Sequence, residues 1–164
     1  MTEPANDRRQ EREKQYRLMR RFARESAVQL LYQLDLNDDW EAGDTVYEEF
    51  WQQIDELIGM PVDIKVADIH DLAARLVAGV VAEREGIDEH LSALAAHWRL
   101  DRMSLVDRNI LRLAAYEIIH REDIPPLASV NEAIEMAKAF GDRDSRRFVN
   151  GILDRLLHDR EELK

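Results

Sequence analysis

The segment "LVDRNILRLAAYEIIHR", residues 105–121, carries Val106, Ile110, Leu111, Leu113, Ala114, Ile118 and Ile119 around most of a helical circumference. A helix that is apolar on most sides must be enclosed by other elements. The rest of the chain supplies them. Ala23, Ala27, Leu30, Leu31 and Leu34 recur at helical spacing, as do Val46, Phe50, Ile54 and Leu57, and then Ile69, Leu72, Ala73, Leu76, Val77 and Val80. No stretch of useful length alternates with the period of two that a strand requires. The expected fold class is all-α, a compact bundle of about seven helices.

Punctuation sets the expected boundaries. Residues 1–16 are polar and nearly free of aliphatic side chains, which predicts a disordered or loosely helical tail. The division is therefore a charged, flexible tail over 1–17 and a single helical domain over 18–164. The first helix should run from about Leu18 to Leu36, where "NDDWEAGD" breaks it. A second spans about Thr45 to Ile58, closed by Gly59 and Pro61. A long apolar stretch covers about Val66 to Glu85, and Gly86 separates it from a shorter helix, Asp88 to His97. Ser104 with Asp107 reads as a capping box, and Ser129 with Glu132 as a second one for "VNEAIEMAKAF". Gly141 ends that helix, and Asp144 is the expected cap of the last, Ser145 to His158.

Composition removes whole classes of function. The chain has 164 residues, enough for one domain with a real core, and no cysteine. Disulfides and thiolate metal sites are thereby excluded, in keeping with a cytoplasmic protein. No stretch is long and apolar enough to read as a membrane span, and a secretory leader is not expected, because no apolar run follows the first charges. Phosphate-binding loops, dinucleotide turns, zinc-protease motifs and nucleophile elbows are all missing. The expectation is a non-enzyme with no cofactor and no metal. Glu117 and His120 make a single Glu-x-x-His pair, whereas a di-iron bundle needs two. Glu117 is instead expected to be a partly buried carboxylate paired with an arginine, because an unpaired charge there would be costly.

The formal net charge is −11, which by itself disfavours a nucleic-acid partner, but the charge is unevenly placed. The first 24 residues hold eight Lys/Arg against four Asp/Glu; the other 140 hold fifteen against thirty. Arg17, Arg20, Arg21 and Arg24 follow i, i+3, i+4, i+7 spacing and form one stripe beside the apolar face of the first helix. Like charges so spaced cost about 0.2–0.5 kcal/mol per pair. A helix start near Leu18 would add about 0.3–1 kcal/mol against each cation in the first turn. A bound polyanion reverses both penalties. In "GDRDSRRFVNG", Arg146 and Arg147 again open a helix, with Phe148 beside them. Two arginines and an aromatic at a helix start suit a single-stranded nucleic acid. A solvated charged face, with Phe148 simply packed on Ile152, accounts for the same residues.

Three segments, "RRFARESAVQLLYQLDL", "DRNILRLAAYEIIHREDIPPLASVNEAIEMAKAFG" and "DSRRFVNGILDRL", resemble the NusB family of transcription antitermination factors (N-utilization substance protein B). The resemblance covers about residues 20–157, with the motifs in order and at the right spacing. It implies an all-helical fold of two packed subdomains and a non-enzymatic role. It also implies binding of boxA-type nascent RNA together with NusE, a small-subunit ribosomal protein, on the RNA polymerase elongation complex, in support of ribosomal-RNA synthesis. By motif position, Arg20, Arg21 and Arg24 fall in the family's arginine-rich RNA-binding motif, with Arg17 continuing it. Arg147 and Phe148, with Arg146 adjacent, match a second RNA-contacting region. Tyr32 and Asp144 match positions at or near the NusE contact. The same fold is appended to some ribosomal-RNA cytosine methyltransferases; a chain ending at Lys164 is expected to be the free-standing factor. Phe22 stands where the cluster often has another arginine, and the tail before Arg17 is longer than usual. The alternative is a helical interaction module or homodimer whose interface covers the arginines.

Overall fold

The computed structural model describes residues 3–57, 66–95 and 99–162. It contains α1 (Glu3–Leu36), α2 (Asp44–Leu57), α3 (Val66–Leu94), α4 (Leu105–His120), α5 (Pro126–Phe140) and α6 (Ser145–Glu162). A short 3-10 turn, Leu100–Arg102, precedes α4. There is no strand among the described residues. The all-α expectation holds, with six α-helices described where about seven were expected. Helix α4 lies at the centre, packed against α1, α3, α5 and α6. It buries Ile110, Leu111, Leu113, Ala114, Ala115 and Ile118 together with four polar side chains, Asp107, Asn109, Arg112 and Glu117. The enclosed helix foreseen for this segment is the one observed.

Three expected boundaries moved, each for a physical reason. Helix α3 runs through Gly86 without a break. A mid-helix glycine costs about 1 kcal/mol, whereas Ile87 and Leu91 beyond it are fully buried and continue the stripe begun by Val80. Burying each such side chain yields roughly 1.5–3 kcal/mol, so continuity wins. Helix α5 starts at Pro126, a proline suited to a first helical turn. Ser129 therefore lies inside the helix with its hydroxyl buried and unpartnered, and the second capping box is not made. Helix α1 starts at Glu3 instead of near Leu18, so the tail is largely its first turns. Gly59, Pro61 and His97 lie outside the described residues. Where expected, Ser104 caps α4, its Oγ accepting the Asp107 amide at 3.1 Å. Gly141 ends α5 with extended backbone. A side chain there would collide with Ser145 and the Ala137 carbonyl. Helix α1 ends in a Schellman turn, with Asp39 N–H donating to Leu34 O at 2.9 Å and Asp38 N–H to Asp35 O at 3.2 Å. Asp38 takes the left-handed conformation this turn needs, φ 49°.

Two ion-pair clusters clamp α1 along α4 in antiparallel register. Toward the C-terminal end of α4, Arg24 Nη2 and Nε donate to Glu117 Oε1 at 2.7 and 3.0 Å, and Nε also reaches Oε2 at 3.1 Å. Both side chains are at most 6% exposed. At the other end Asp35 accepts from Arg108 (2.7 and 2.8 Å), Arg112 (2.9 Å) and Asn109 (3.0 Å). Arg112 continues to Asp88 of α3 at 2.8 and 3.0 Å. The guanidinium groups of Arg84 and Arg112 also lie 4.5 and 5.1 Å from the Trp40 ring. Burial would raise the Asp35 pKa, but the hydrogen bonds from Arg108 and Asn109 and the charges of Arg112 and Arg108 outweigh it and lower the pKa.

Removing one partner of a buried pair strands a charge. Glu117→Ala is therefore expected to lower stability by about 3–5 kcal/mol in urea unfolding, while Arg24→Met with Glu117→Leu recovers most of the loss. A loss under about 1 kcal/mol in the single variant, the scale of an exposed pair, would remove this clamp from the framework. The Asp35 clamp carries a pH signature. Its folded pKa lies below the ordinary 3.8, so its contribution is complete above that value and is lost as pH falls from there through the folded pKa. Asp35→Asn should be less stable at pH 7 and should lose less on acidification from pH ~4 downward, read from urea midpoints against pH.

Candidate nucleic-acid interface

The candidate arginines divide into groups with different roles. Arg17 is exposed and Arg20 half-buried. Among the described residues neither has a carboxylate within ion-pair distance. The Arg20 guanidinium lies 5.5 Å from the Tyr16 ring centre. Its charge also helps hold the exposed Asp123 carboxyl down to about 2, behind the larger effect of the Arg121 hydrogen bond. Arg20 thus sits near the turn between α4 and α5. Arg21 is half-exposed and bridges to Glu132 of α5, with both contacts at 3.3 Å. Such a pair is worth about 0–1 kcal/mol, so a phosphate can displace it. Burial, followed by a weaker opposing effect of Arg21, raises the pKa of the neighbouring Glu25.

Arg24 is buried and stands apart from the exposed arginines. Its guanidinium is enclosed and committed to Glu117, the buried carboxylate–arginine pair expected of Glu117. The stripe geometry explains this burial. Arg17 and Arg24 share one side of α1, but that side turns toward α4 once the helix enters the bundle. Phe22 packs against the core with Leu18 and Met19, so the residue that thins the arginine cluster helps to dock the helix. The early start of α1 also withdraws the dipole argument from Arg17, Arg20 and Arg21, which lie several turns inside the helix. That argument stands for α6, where Arg146 and Arg147 are exposed in the first turn.

The second group lies elsewhere. Phe148 is half-buried, packed on the core, and lines a cleft of about 430 Å³ with Arg102, Met103, Ser104, Asp107, Asp142 and Asp144. Asp142 accepts the Asp144 amide at 2.9 Å and the Ser145 hydroxyl at 3.2 Å, ordering the turn before α6. Asp107 is buried, with Oδ1 lacking a hydrogen-bond partner. Burial raises its pKa against the hydrogen bonds to Ser145 and Ser104. Three carboxylates in one cleft favour a cationic visitor over a phosphate. This cleft adjoins the start of α4, whereas Arg20 and Arg21 lie beyond its end. Fourteen residues of α1, about 21 Å at ~1.5 Å each, separate Arg21 from the Asp35 clamp there. The two arginine groups are therefore separate patches.

Beside the cleft is an apolar groove of about 480 Å³ lined by Val28, Tyr32, Leu36, Phe50, Val106 and Phe140, with glutamines at its rim. Tyr32, Leu36 and Phe140 are exposed large hydrophobics. Val106 lines the groove and Asp107 the cleft, so the two surfaces meet at the first turn of α4. Tyr32 lines this groove and Asp144 the cleft, alongside Leu36, Phe140 and Asp107, which the sequence reading did not single out as site residues. Leu36 and Phe140 have the spacing of core residues, so periodicity alone could not distinguish them.

The comparisons agree with this architecture. Residues 21–158 match the NusB family. The transcription antitermination protein NusB of Anaeromyxobacter dehalogenans is 43% identical over 134 residues, 82% of this chain and 87% of that protein. NusB of Desulforudis audaxviator is 41% identical over 147 residues, 90% of this chain and 99% of its own. Among solved structures, NusB of T. maritima superposes with a TM-score of 0.65 at 36% identity, covering 83% of this chain and 88% of that one. A chain from the crystal structure of antitermination factors NusB and NusE in complex with dsRNA gives 0.68 at 26%, covering 84% and 94%. With the matching region embracing both clamps, the groove and the start of α6, this chain belongs to the NusB family, a family of non-enzymatic transcription antitermination factors.

Proposed function

We propose that this protein binds boxA-type nascent RNA jointly with NusE and, on the RNA polymerase elongation complex in the cytoplasm, promotes processive transcription of ribosomal-RNA operons. The observation that carries the reading is the pair of exposed arginine patches, Arg17, Arg20 and Arg21 at one end of α4 and Arg146 and Arg147 at the other, on a chain of net charge −11. The acidic body disfavours phosphates over most of its surface, so RNA is steered to basic patches such as these. Guanidinium groups grip phosphates through charge-assisted, often paired hydrogen bonds. Phe148 offers a ring edge beside the second patch.

The apolar groove at Tyr32 and the carboxylate cleft at Asp144 form the proposed seat of NusE. A basic ribosomal protein suits the cleft by charge, and the groove supplies the apolar centre that such contacts need. NusE bound there sits next to the Arg146–Arg147 patch and can extend the RNA surface. The comparison structure holding NusB, NusE and RNA together supports the assignment by analogy.

Arg17→Ala with Arg20→Ala is expected to weaken boxA RNA binding and to reduce the slope of log K against log salt by about 1.4, some 0.7 per lost phosphate contact. Fluorescence anisotropy over a salt series, against a scrambled RNA, reads both. An unchanged slope would remove these arginines from the interface. Tyr32→Ala should leave RNA binding by the protein alone unaltered. It should weaken NusE binding by at least about thirtyfold, the scale of a central aromatic at an interface, read by calorimetry. Unaltered NusE affinity would exclude the groove.

A further inference from the structure

Helix α1 extends well beyond the region that matches the family, which begins at residue 21. From Pro4 to Lys14 every residue is exposed, and the helix first leans on the core at Leu18 and Met19. The projecting part is thus a single polar helix of about 20 Å at ~1.5 Å per residue. A helix that is polar all round gains little from packing and depends on pairs along its own surface. Arg9 and Glu13 make one such pair at 3.2 Å.

Arg8, Arg12, Tyr16 and Arg20 are spaced four apart and make one continuous ridge. Asp7 and Glu11 form the adjoining row and share a depression with Arg8, leaving Arg12, Tyr16 and Arg20 on the other part of the ridge. Tyr16 is 56% exposed and does not belong to the core. Arg20 lies against its ring, and Arg8 and Arg12 lead away from it toward the helix start. An exposed aromatic set among evenly spaced cations is a platform for single-stranded nucleic acid, with a base on the ring and phosphates on the guanidinium groups. The ridge is continuous with the proposed RNA patch because Arg20 belongs to both.

We infer that the projecting ridge Arg8–Arg12–Tyr16 is an additional contact surface for single-stranded RNA, engaging nucleotides that flank the segment held at Arg17, Arg20 and Arg21. This rests on the RNA-binding reading above. From Arg8 to Arg20 the ridge spans about 18 Å, roughly five stacked nucleotides at ~3.4 Å each. Every base has a face that can stack, so the flank is bound without sequence preference.

The test uses the full chain with NusE and two probes, the boxA RNA by itself and the same RNA flanked at each end by about six uridines, within the usual site size of such surfaces. The flanked probe should bind the unaltered protein about tenfold more tightly than the short one. Arg8→Ala with Arg12→Ala should abolish that advantage, reduce the salt slope on the flanked probe by about 1.4, and leave the short probe unchanged. Tyr16→Ala should weaken the flanked probe about tenfold with little change of slope, because stacking releases no counterion. Helical content by circular dichroism checks the variants, and alanine favours the helix in each. Equal affinity of the two probes for the unaltered protein would overturn the ridge proposal and leave the boxA reading intact. Failure of both probes to bind would overturn both. An advantage of the flanked probe that survives intact in the Arg8/Arg12 variant would place the flanking nucleotides elsewhere and overturn the inference.

Discussion

The antiparallel clamping of α1 on α4 is the constraint from which the rest of the surface follows. Arg24 and Asp35 are eleven residues apart, almost a whole number of turns at ~3.6 residues each, so they leave α1 on the same side. Glu117 receives one, and Arg108 with Arg112 receives the other. Two fixed points on one helix determine both its register and its roll. Apolar packing alone tolerates sliding, whereas a bidentate guanidinium–carboxylate pair does not. With roll fixed, Tyr32 and Leu36 must face the groove and Arg17, Arg20 and Arg21 must lie at the opposite end. The second clamp also reaches Asp88, so α3 is locked to the same frame.

Burying these charges is not an obvious route to stability, since well-packed apolar substitutes are often as good or better. What the ion pairs add is uniqueness of position. That matters where one helix serves two surfaces, with Arg21 and Tyr32 separated by roughly 16 Å along its axis at ~1.5 Å per residue. The Arg21–Glu132 bridge differs in kind. It is half-exposed, holds α1 loosely to α5, and leaves its arginine open to exchange partners. The chain therefore uses guanidinium groups in three ways along one helix: sealed at Arg24, exchangeable at Arg21, and exposed at Arg17.

That gradation explains how far the sequence could be read. The enclosed α4 was legible because apolar residues around a whole circumference admit one interpretation. The Glu117 pairing was legible because a carboxylate at that depth needs a cation. Which cation was not, since the answer depends on how α1 rolls against α4, a tertiary quantity absent from any local pattern. Arg24 was assigned to the surface stripe for that reason. Gly86 misled in the other direction. A local break signal was outweighed by Ile87 and Leu91, whose burial becomes visible only when α3 is packed. Ser129 carried a capping pattern, but Pro126 had already begun the helix a turn earlier, leaving the Ser129 hydroxyl without a partner and Glu132 to Arg21. The groove residues Leu36 and Phe140 obey core periodicity and differ from core only in having nothing packed over them.

The acidic character of the body acquires a purpose once the patches are placed. A uniformly basic protein of this size would bind any RNA along its whole surface, and affinity would be governed by salt more than by site. Here the carboxylates around the Phe148 cleft and the negative total charge make most of the surface repulsive to phosphate. On the proposed reading the same carboxylates attract a basic protein, so one charge distribution favours that partner while directing RNA to the basic patches. In that proposal RNA at α1 and a partner beside α6 meet on the common scaffold of α4, whose buried Arg112 and Glu117 fix where α1 lies. Specific assembly follows from repulsion over most of the molecule as much as from attraction at the few exposed arginines.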